Sequence, residues 1–423
     1  MRIHFMGIGG SGMASAAAIA KAYGYEISGC DLKTRGHDVK HLENIDLLAV
    51  SPAVFYQNNN HPEVLEAKKR GILMTWQEFM GKYLHSDKFV ICVAGTHGKS
   101  TTTTMVGKLL IDAGLDPTVE VGAIIPEWGG GDRIGKSKYF VSEADEFYSN
   151  FLHYHPDIVI LNNIELDHPE YFGTFDKMLD TYAQFISQIK PGGTLIYNMD
   201  NPGNRLLISK IQSSKIAIVG YSLSDYPKKL KLSVPGNHNK ANAMGVIKLC
   251  ELLKLPKTIY EKSLGNFSGI DRRLQELGTV NGVTVIDDYA NLPTAFQSNI
   301  KALREKYSGK PIWVVIEPHT FSRLRAVLPD LAAALKDADH VIISKIFASR
   351  EVDPGDFTGA DIAAAIPKAL YIPEFSDIIQ SLISNLPARI ATQSVAGGQS
   401  PAIILVMGSG NSDKLAREIL ENL

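Results

Sequence analysis

The stretch "CVAGTHGKSTTTTMVGKLL", Cys92–Leu110, decides how the whole chain is read. An apolar run ends at Ala94, a glycine-bounded turn follows (Gly95-Thr96-His97-Gly98-Lys99-Ser100), and a helical pattern comes next. Strand, glycine turn and helix in that order make a phosphate-binding loop. Glycine lets the backbone close on an anion, and the helix start offers free N–H groups and a positive dipole end. In such a loop Gly95, Thr96, His97, Gly98 and Thr101 surround the phosphates. Lys99 meets the β- and γ-phosphates as a point charge, and Ser100 places its hydroxyl on Mg²⁺. The common pattern G-x-x-x-x-G-K-[ST] asks for glycine at 93, where this chain has Val93.

Working outward, the same strand–glycine–helix order opens the chain. "RIHFMGIGGSGMASAAAIAKAYG" carries Gly7, Gly9 and Gly12 in a G-x-G-x-x-G turn, with Gly10 and Ser11 inside it. About twenty residues on, "YEISGCD" ends a second strand at Asp31, where a ribose-binding acid belongs. The turn fits any nucleotide diphosphate that carries a ribose. Towards the C-terminus, "GVTVIDDYANLPTAF", "PIWVVIEPHTFSRL" and "HVIISKIF" alternate apolar runs with helical patterns. This alternation predicts an α/β protein with parallel sheets, built as three nucleotide-fold modules: 1–86, 87–270 and 271–423. The first boundary is placed at the polar stretch "GKYLHSDK", residues 81–88.

Composition sets limits on the rest. The chain has 423 residues, 45% hydrophobic and 21% charged, with a formal net charge of −2. That balance argues against a general nucleic-acid surface. Cys30, Cys92 and Cys250 are too few and too scattered for a disulfide framework or C-x-x-C zinc site, which fits a reducing cytoplasm. No uninterrupted apolar run is long enough for a membrane span.

A phosphate site that uses metal needs acids, and two clusters follow apolar runs. "YFVSEADEF" holds Glu143, Asp145 and Glu146; "DIVILNNIELDHPEYF" holds Glu165, Asp167 and His168. Strand ends are the edge at which open α/β sheets bind ligands. Carboxylates and phosphate oxygens suit Mg²⁺, and a histidine among them also admits Mn²⁺.

At these motifs the chain resembles the Mur ligases, the ATP-dependent amino-acid ligases of peptidoglycan assembly. The resemblance runs in order through "GIGGSGM", "AGTHGKSTTT", "SEADEF", "NNIELDHPEYF", "PGNHNKANA", "FSGIDRRLQ", "VIDDYANLPTA", "EPHTFSRL" and "MGSG". It implies a UDP-binding Rossmann-like domain, a central ATPase and a C-terminal Rossmann-like domain. It also accounts for Val93, because the family's loop is the shorter G-T-x-G-K-[ST]. "GIGGSGM" with "ISGCD" is similar to the branch that binds UDP-N-acetylmuramate. The resemblance then implies amide formation between the carboxylate of UDP-N-acetylmuramate and a small amino acid, L-alanine first, through an acyl phosphate.

By the same resemblance Gly7, Gly9, Gly10, Ser11, Gly12, Met13, Asp31 and Ser51 bind the UDP-sugar. Ser100 and Glu143 hold one metal, and His168 holds a second. Asn239 and Asn242 in "PGNHNKANA" meet adenine. Arg272 or Arg273 reaches ATP phosphate, with Arg273 joining Lys99, Glu143 and His168 in catalysis. Asp288 contacts ribose, and Asn291, His319 and Arg323 hold the amino acid. Two departures fall at that last pocket: Thr320 stands where the alanine-adding ligases commonly have Arg, and Ala290-Asn291-Leu292 replaces G-H-H. They leave open L-alanine against the murein tripeptide used by the recycling ligase of the same branch. A non-catalytic UDP-sugar-binding protein, an NAD-dependent oxidoreductase and a mechanical NTPase are the other readings. The last two leave Lys99 or the flanking glycine-fold modules without a role. The expected assembly is a monomer or homodimer.

Overall fold

The computed structural model describes residues 1–32, 36–58, 60–211, 215–349, 351–386 and 402–423. Among them are three sheets, and the protein is α/β. In the first, Arg2–Met6 lies between Glu26–Cys30 and Leu47–Val50, with Leu73–Thr75 outermost, and every pair is parallel. The second has the order Ala217–Tyr221, Thr194–Asn198, Ile158–Leu161, Phe89–Ala94, Tyr139–Ala144, Thr118–Ile125, Gly130–Arg133. It is parallel except for its last pair. The third runs Gln275–Val280, Val283–Asp288, Ala402–Met407, Ile312–Ile316, His340–Ile343, Ala369–Tyr371, and only its first pair is antiparallel.

The central strands read as unbroken apolar runs because both of their faces are covered. Ile158–Leu161, Ile312–Ile316 and Ala402–Met407 are buried at every position. In the third sheet, Val314, Ile316, Leu405 and Met407 enter one core, while Trp313, Val315, Ile404 and Val406 enter the opposite one. This is the two-residue alternation of a strand covered on both sides.

Contacts group the chain into two compact units, 1–233 with 239–270, and 234–238 with 271–423. The first two sheets fall in one unit because they share a core. Ile3, Phe5, Phe79 and Leu84 belong to the same buried cluster as Val90, Phe140, Tyr154 and Phe185. Residues 81–88, expected as a polar separator, are therefore part of the packing. Trp76–Phe79 is helical and continues as a wide turn, Met80–Leu84, and Met80, Leu84 and His85 are buried.

The helix Lys99–Asp112 is unusual in being buried on most sides while rich in threonine. Its hydroxyls find partners in its own backbone: Thr103 Oγ1 donates to Lys99 O at 2.9 Å and Thr104 Oγ1 to Ser100 O at 2.8 Å. Bonds of this kind satisfy a donor that burial would otherwise leave costly.

Candidate functional site

The loop 95–100 leaves the strand Phe89–Ala94 and enters the helix Lys99–Asp112. Val93 lies within that strand, fully buried and registered with Glu143 and Ile160, so the turn proper begins at Gly95. Gly95 and Gly98 have φ of +136° and +78°. A Cβ on Gly98 would stand 2.5 Å from Asn242 Oδ1, and one on Gly95 would stand 2.9 Å from Asn163 O. Both positions therefore need glycine. The asparagine pair after the neighbouring strand braces the loop. His97 N donates to Asn163 Oδ1 at 2.8 Å, and the Asn162 and Asn163 side chains donate to His97 O at 3.2 and 3.1 Å. Thr96 Oγ1 donates to Glu165 O at 2.9 Å, and the His97 ring lies 3.4 Å from Glu165 Oε2.

The charged groups converge next to this loop. Lys99 Nζ donates to Glu146 Oε2 at 2.7 Å and stands 3.8 Å from Asp145 Oδ1. Burial opposes the Lys99 charge, but Glu146, Asp145 and Glu143 outweigh it and hold the ammonium above its ordinary pKa. Burial pushes the Glu146 carboxyl up, against the pull of Lys99. Ser100 Oγ donates to Glu143 Oε1 at 3.1 Å, and the other oxygen of Glu143 accepts from Gly122 N at 2.9 Å.

His168 was expected to hold a second metal, apart from the one on Ser100 and Glu143. The structure groups it with Glu146 and Asp167, and one donor atom from each lies within 4.8 Å of the others. His168 sits in the left-handed region (φ 53°, ψ 54°), its N–H bonded to Asp167 Oδ1 at 2.7 Å and its ring 4.4 Å from Phe147. Tyr148 and Ser149, just past the acid cluster, are also left-handed. Non-glycine residues held there store strain, which collects at functional sites. Two oxygen-rich donor groups thus flank Lys99: Ser100 with Glu143, and Glu146 with Asp167 and His168. Both fit a hard divalent cation.

The N-terminal glycine turn lies against the same region. Gly7 has φ +93°, and Gly9 N donates to Asp31 Oδ2 at 3.1 Å. A Cβ on Gly9 would stand 2.8 Å from that oxygen, and one on Gly12 would stand 3.0 Å from Trp76. Ser51 packs behind Gly7, and Met13 is buried in the core beneath the turn. Gly10 precedes the helix Ser11–Ala22 with no side-chain cap. Ser11 Oγ donates to Gly122 O at 2.9 Å. The residue that touches the glycine turn through its carbonyl therefore touches Glu143 through its N–H, and Glu143 touches Ser100 of the phosphate loop. Beside it, Glu120 is buried, accepts from Ser142 Oγ at 2.9 Å, and has its carboxyl pushed up to about 8 by burial and by Glu143.

Asn239 and Asn242 lie on the helix Asn237–Leu252, and Asn242 packs on Gly98. The remaining candidates belong to the second unit. Arg272 Nη2 donates to Gly408 O at 2.8 Å and Ser412 Oγ at 2.9 Å, and its Nε is 3.4 Å from Asp287 Oδ2. Arg272 and Arg273 both lie over the Tyr289 ring, at 4.9 and 5.0 Å. Asp288 accepts from Leu274 N at 2.7 Å and Ala290 N at 2.8 Å, so each of its oxygens fastens a loop. Asn291 Nδ2 is 3.5 Å from Ser409 Oγ. Arg323, buried, lies 3.1 Å from His319 Nδ1 through its Nη1. Between them Thr320 has φ 61° and ψ 137°. Glu351 accepts from Phe321 N, Ser322 N and Ser322 Oγ, placing a negative charge at the start of the helix Phe321–Leu335.

Sequence reading noted Glu146 and Asp167 as acids but did not select them as ligands, and it missed the bracing by Asn162 and Asn163. The doublet directly after "DIVIL" was the available signal, because strand-end amides are well placed to hold a neighbouring loop.

Three family models cover most of the chain: "Mur ligase family, catalytic domain" at residues 2–87, "Mur ligase middle domain" at 93–229, and "Mur ligase, glutamate ligase domain" at 272–410. A UDP-N-acetylmuramate–L-alanine ligase of Lachnospira eligens is 32% identical, with 100% of this chain and 98% of the relative covered. Among solved structures, a UDP-N-acetylmuramate-alanine ligase from Thermotoga maritima matches with TM-score 0.77 at 22% identity, covering 100% of this chain and 98% of that one. A murein peptide ligase from Psychrobacter arcticus matches with TM-score 0.69 at 22% identity, covering 100% and 98%. These two likenesses are of fold. No helix among the described residues is long and apolar enough to cross a membrane. With matched segments in all three sheets and a relative aligned over its whole length, the chain belongs to the Mur ligase family.

Proposed function

We propose that this protein joins the carboxylate of UDP-N-acetylmuramate to the amine of L-alanine at the expense of ATP, in the cytoplasm, as a step of peptidoglycan precursor synthesis. The name carried by the relatives supports the substrates. The observation that carries the chemistry is the path Ser11–Gly122–Glu143–Ser100, which ties the sugar-nucleotide turn to the phosphate loop. We assign the UDP-sugar to residues 1–86, ATP to 87–270 and the amino acid to 271–423.

A carboxylate is a poor electrophile, so it must take a phosphoryl group before an amine attacks it. That transfer needs alignment and charge neutralisation more than covalent help. Lys99 supplies fixed positive charge, and incoming phosphate oxygens take the place that Glu146 holds on its ammonium. The loop N–H groups, held by Asn162 and Asn163, orient the phosphates. Ser100 with Glu143, and His168 with Glu146 and Asp167, would hold Mg²⁺ or Mn²⁺, which would neutralise charge on the transferring phosphoryl group. Arg323 with His319 would hold the amino-acid carboxylate, leaving the amine free.

A phosphate-release assay with UDP-N-acetylmuramate, ATP and L-alanine, glycine, L-serine or murein tripeptide tests the reading. Release with L-alanine above the others is expected. Tripeptide-dependent release alone would move the protein to the recycling reaction, and no release with any amine would overturn the ligase reading.

A further inference from the structure

The first sheet carries a cluster of side chains that the ligase reaction does not use. His4 comes from the strand Arg2–Met6, Cys30 ends Glu26–Cys30, His41 lies in the short helix Val39–Leu42, and Glu63 opens the helix Pro62–Lys69. His4, Cys30 and Glu63 are buried, and the His41 side chain keeps 25% of its surface exposed. One donor atom from each of the four lies within 4.8 Å of the others.

Two of the distances from Glu63 match a ligand shell, and the sulfur lies slightly farther out. Glu63 Oε1 stands 3.6 Å from His4 Nε2, 3.4 Å from His41 Nδ1 and 3.9 Å from Cys30 Sγ. A zinc tetrahedron of nitrogen, oxygen and sulfur donors has edges of roughly 3.3–3.6 Å. His4 Nδ1 is 2.9 Å from Ser28 Oγ. With Nδ1 donating to that hydroxyl, the lone pair of Nε2 faces the cluster, which is how an outer partner orients a metal-binding imidazole. Buried His4 Nε2 and Glu63 Oε2 have no hydrogen-bond partner among the described residues. Buried polar atoms seldom go without one, and a missing ion is one reason they do. His37 Nδ1 lies 3.1 Å from Cys30 Sγ, a further nitrogen beside the sulfur.

We propose that His4, Cys30, His41 and Glu63 bind a zinc-class divalent cation. A thiolate and imidazoles select a borderline-soft ion over Mg²⁺, which separates this site from the oxygen-rich groups around Lys99. Burial and Glu63 push the Cys30 thiol up to about 12, so the cation binds with release of that proton. The partly exposed His41 provides the way in, and its Nδ1 exchanges the N–H of Asp38, 3.3 Å away, for the ion. The bound ion would cross-link two strands of the first sheet to two helices beside it. It would also stiffen the glycine turn, because Cys30 O accepts from Gly7 N at 2.8 Å and Ile8 N at 3.1 Å.

The full chain is stripped with chelator and titrated with Zn²⁺ and Co²⁺, following bound metal by elemental analysis, thermal stability and the thiolate-to-cobalt absorption band. One equivalent of zinc, a raised Tm and a cobalt–thiolate band are expected. Cys30→Ser should abolish the band and weaken zinc at least roughly tenfold, while Cys250→Ser and His168→Ala keep both. Circular dichroism establishes that each variant is folded. Should Cys30→Ser fail to fold, His41→Gln, at the exposed edge, decides by the same tenfold criterion. The absence of stoichiometric zinc, a band that survives Cys30→Ser, or His41→Gln binding as wild type does would each overturn the site.

Discussion

Two strand-end regions hold a buried or half-buried cation, and they hold it differently. At the end of the central sheet, Lys99 has carboxylates for neighbours, with a single close hydrogen bond to Glu146. At the end of the third sheet, Arg272 is fastened to a backbone carbonyl, a serine hydroxyl and the carboxylate of Asp287 at once. An ammonium on a flexible stem can exchange one anion for another. A guanidinium fork spread over three partners holds a loop in place. The same kind of charge at the same kind of edge is thus held by one close partner in one region and by three in the other.

The largest expected effect breaks the first half of this comparison. Lys99→Ala should lower turnover by roughly 10²–10³-fold or more, read by phosphate release, and calorimetry should show a lower Tm as well, because buried Glu146 loses its charge partner. Retained activity would remove Lys99 from the phosphate site. Arg272→Ala should act on stability with less effect on turnover. Asp287 would be left buried without its charge partner, costing about 3 kcal/mol of stability in a denaturant titration. A variant of wild-type stability but raised KM for ATP would make Arg272 a ligand of phosphate.

A third effect concerns Glu120, beside the bridge between the two glycine loops. Its folded-state value of about 8 lies above the ordinary carboxylate value of about 4.3. In that window the native state keeps a proton that the unfolded chain has released, so stability falls as pH rises from about 4.3 to about 8. Glu120→Gln should match wild type near the acidic end of that window. It should be more stable by on the order of 4–5 kcal/mol at the alkaline end, at about 1.36 kcal/mol for each unit between the two values. Equal pH slopes for the two proteins would refute the assignment. The smallest effect belongs to Thr320, whose φ of 61° and ψ of 137° suit glycine better than threonine. Thr320→Gly should gain on the order of 1 kcal/mol, and a lower Tm would show that its contacts outweigh the strain.

Much of the site was legible because its parts are neighbours along the chain. Gly95 through Ser100 form one turn, and that turn is where the residue types predict it. Asp31 is found at Gly9, as the spacing after the first glycine turn predicts. What spacing does not reveal is which acid meets which cation. Glu143 and Glu146 are three residues apart in "SEADEF", yet one bonds Ser100 and the other bonds Lys99 and approaches His168. The strand ends at Ala144, between the two, so Glu143 keeps the strand's geometry and Glu146 does not.

By itself, then, the sequence determined the α/β class, the three glycine-fold modules and the phosphate loop, since each rests on local periodicity and on glycine's freedom at positive φ. Tertiary structure alone decided that the first two sheets share one core, that Gly122 links the two glycine loops, and that His4, Cys30, His41 and Glu63 meet. Those residues come from separate segments of the chain, and only the parallel register of the first sheet and the packing of its helices bring their donor atoms within bonding reach.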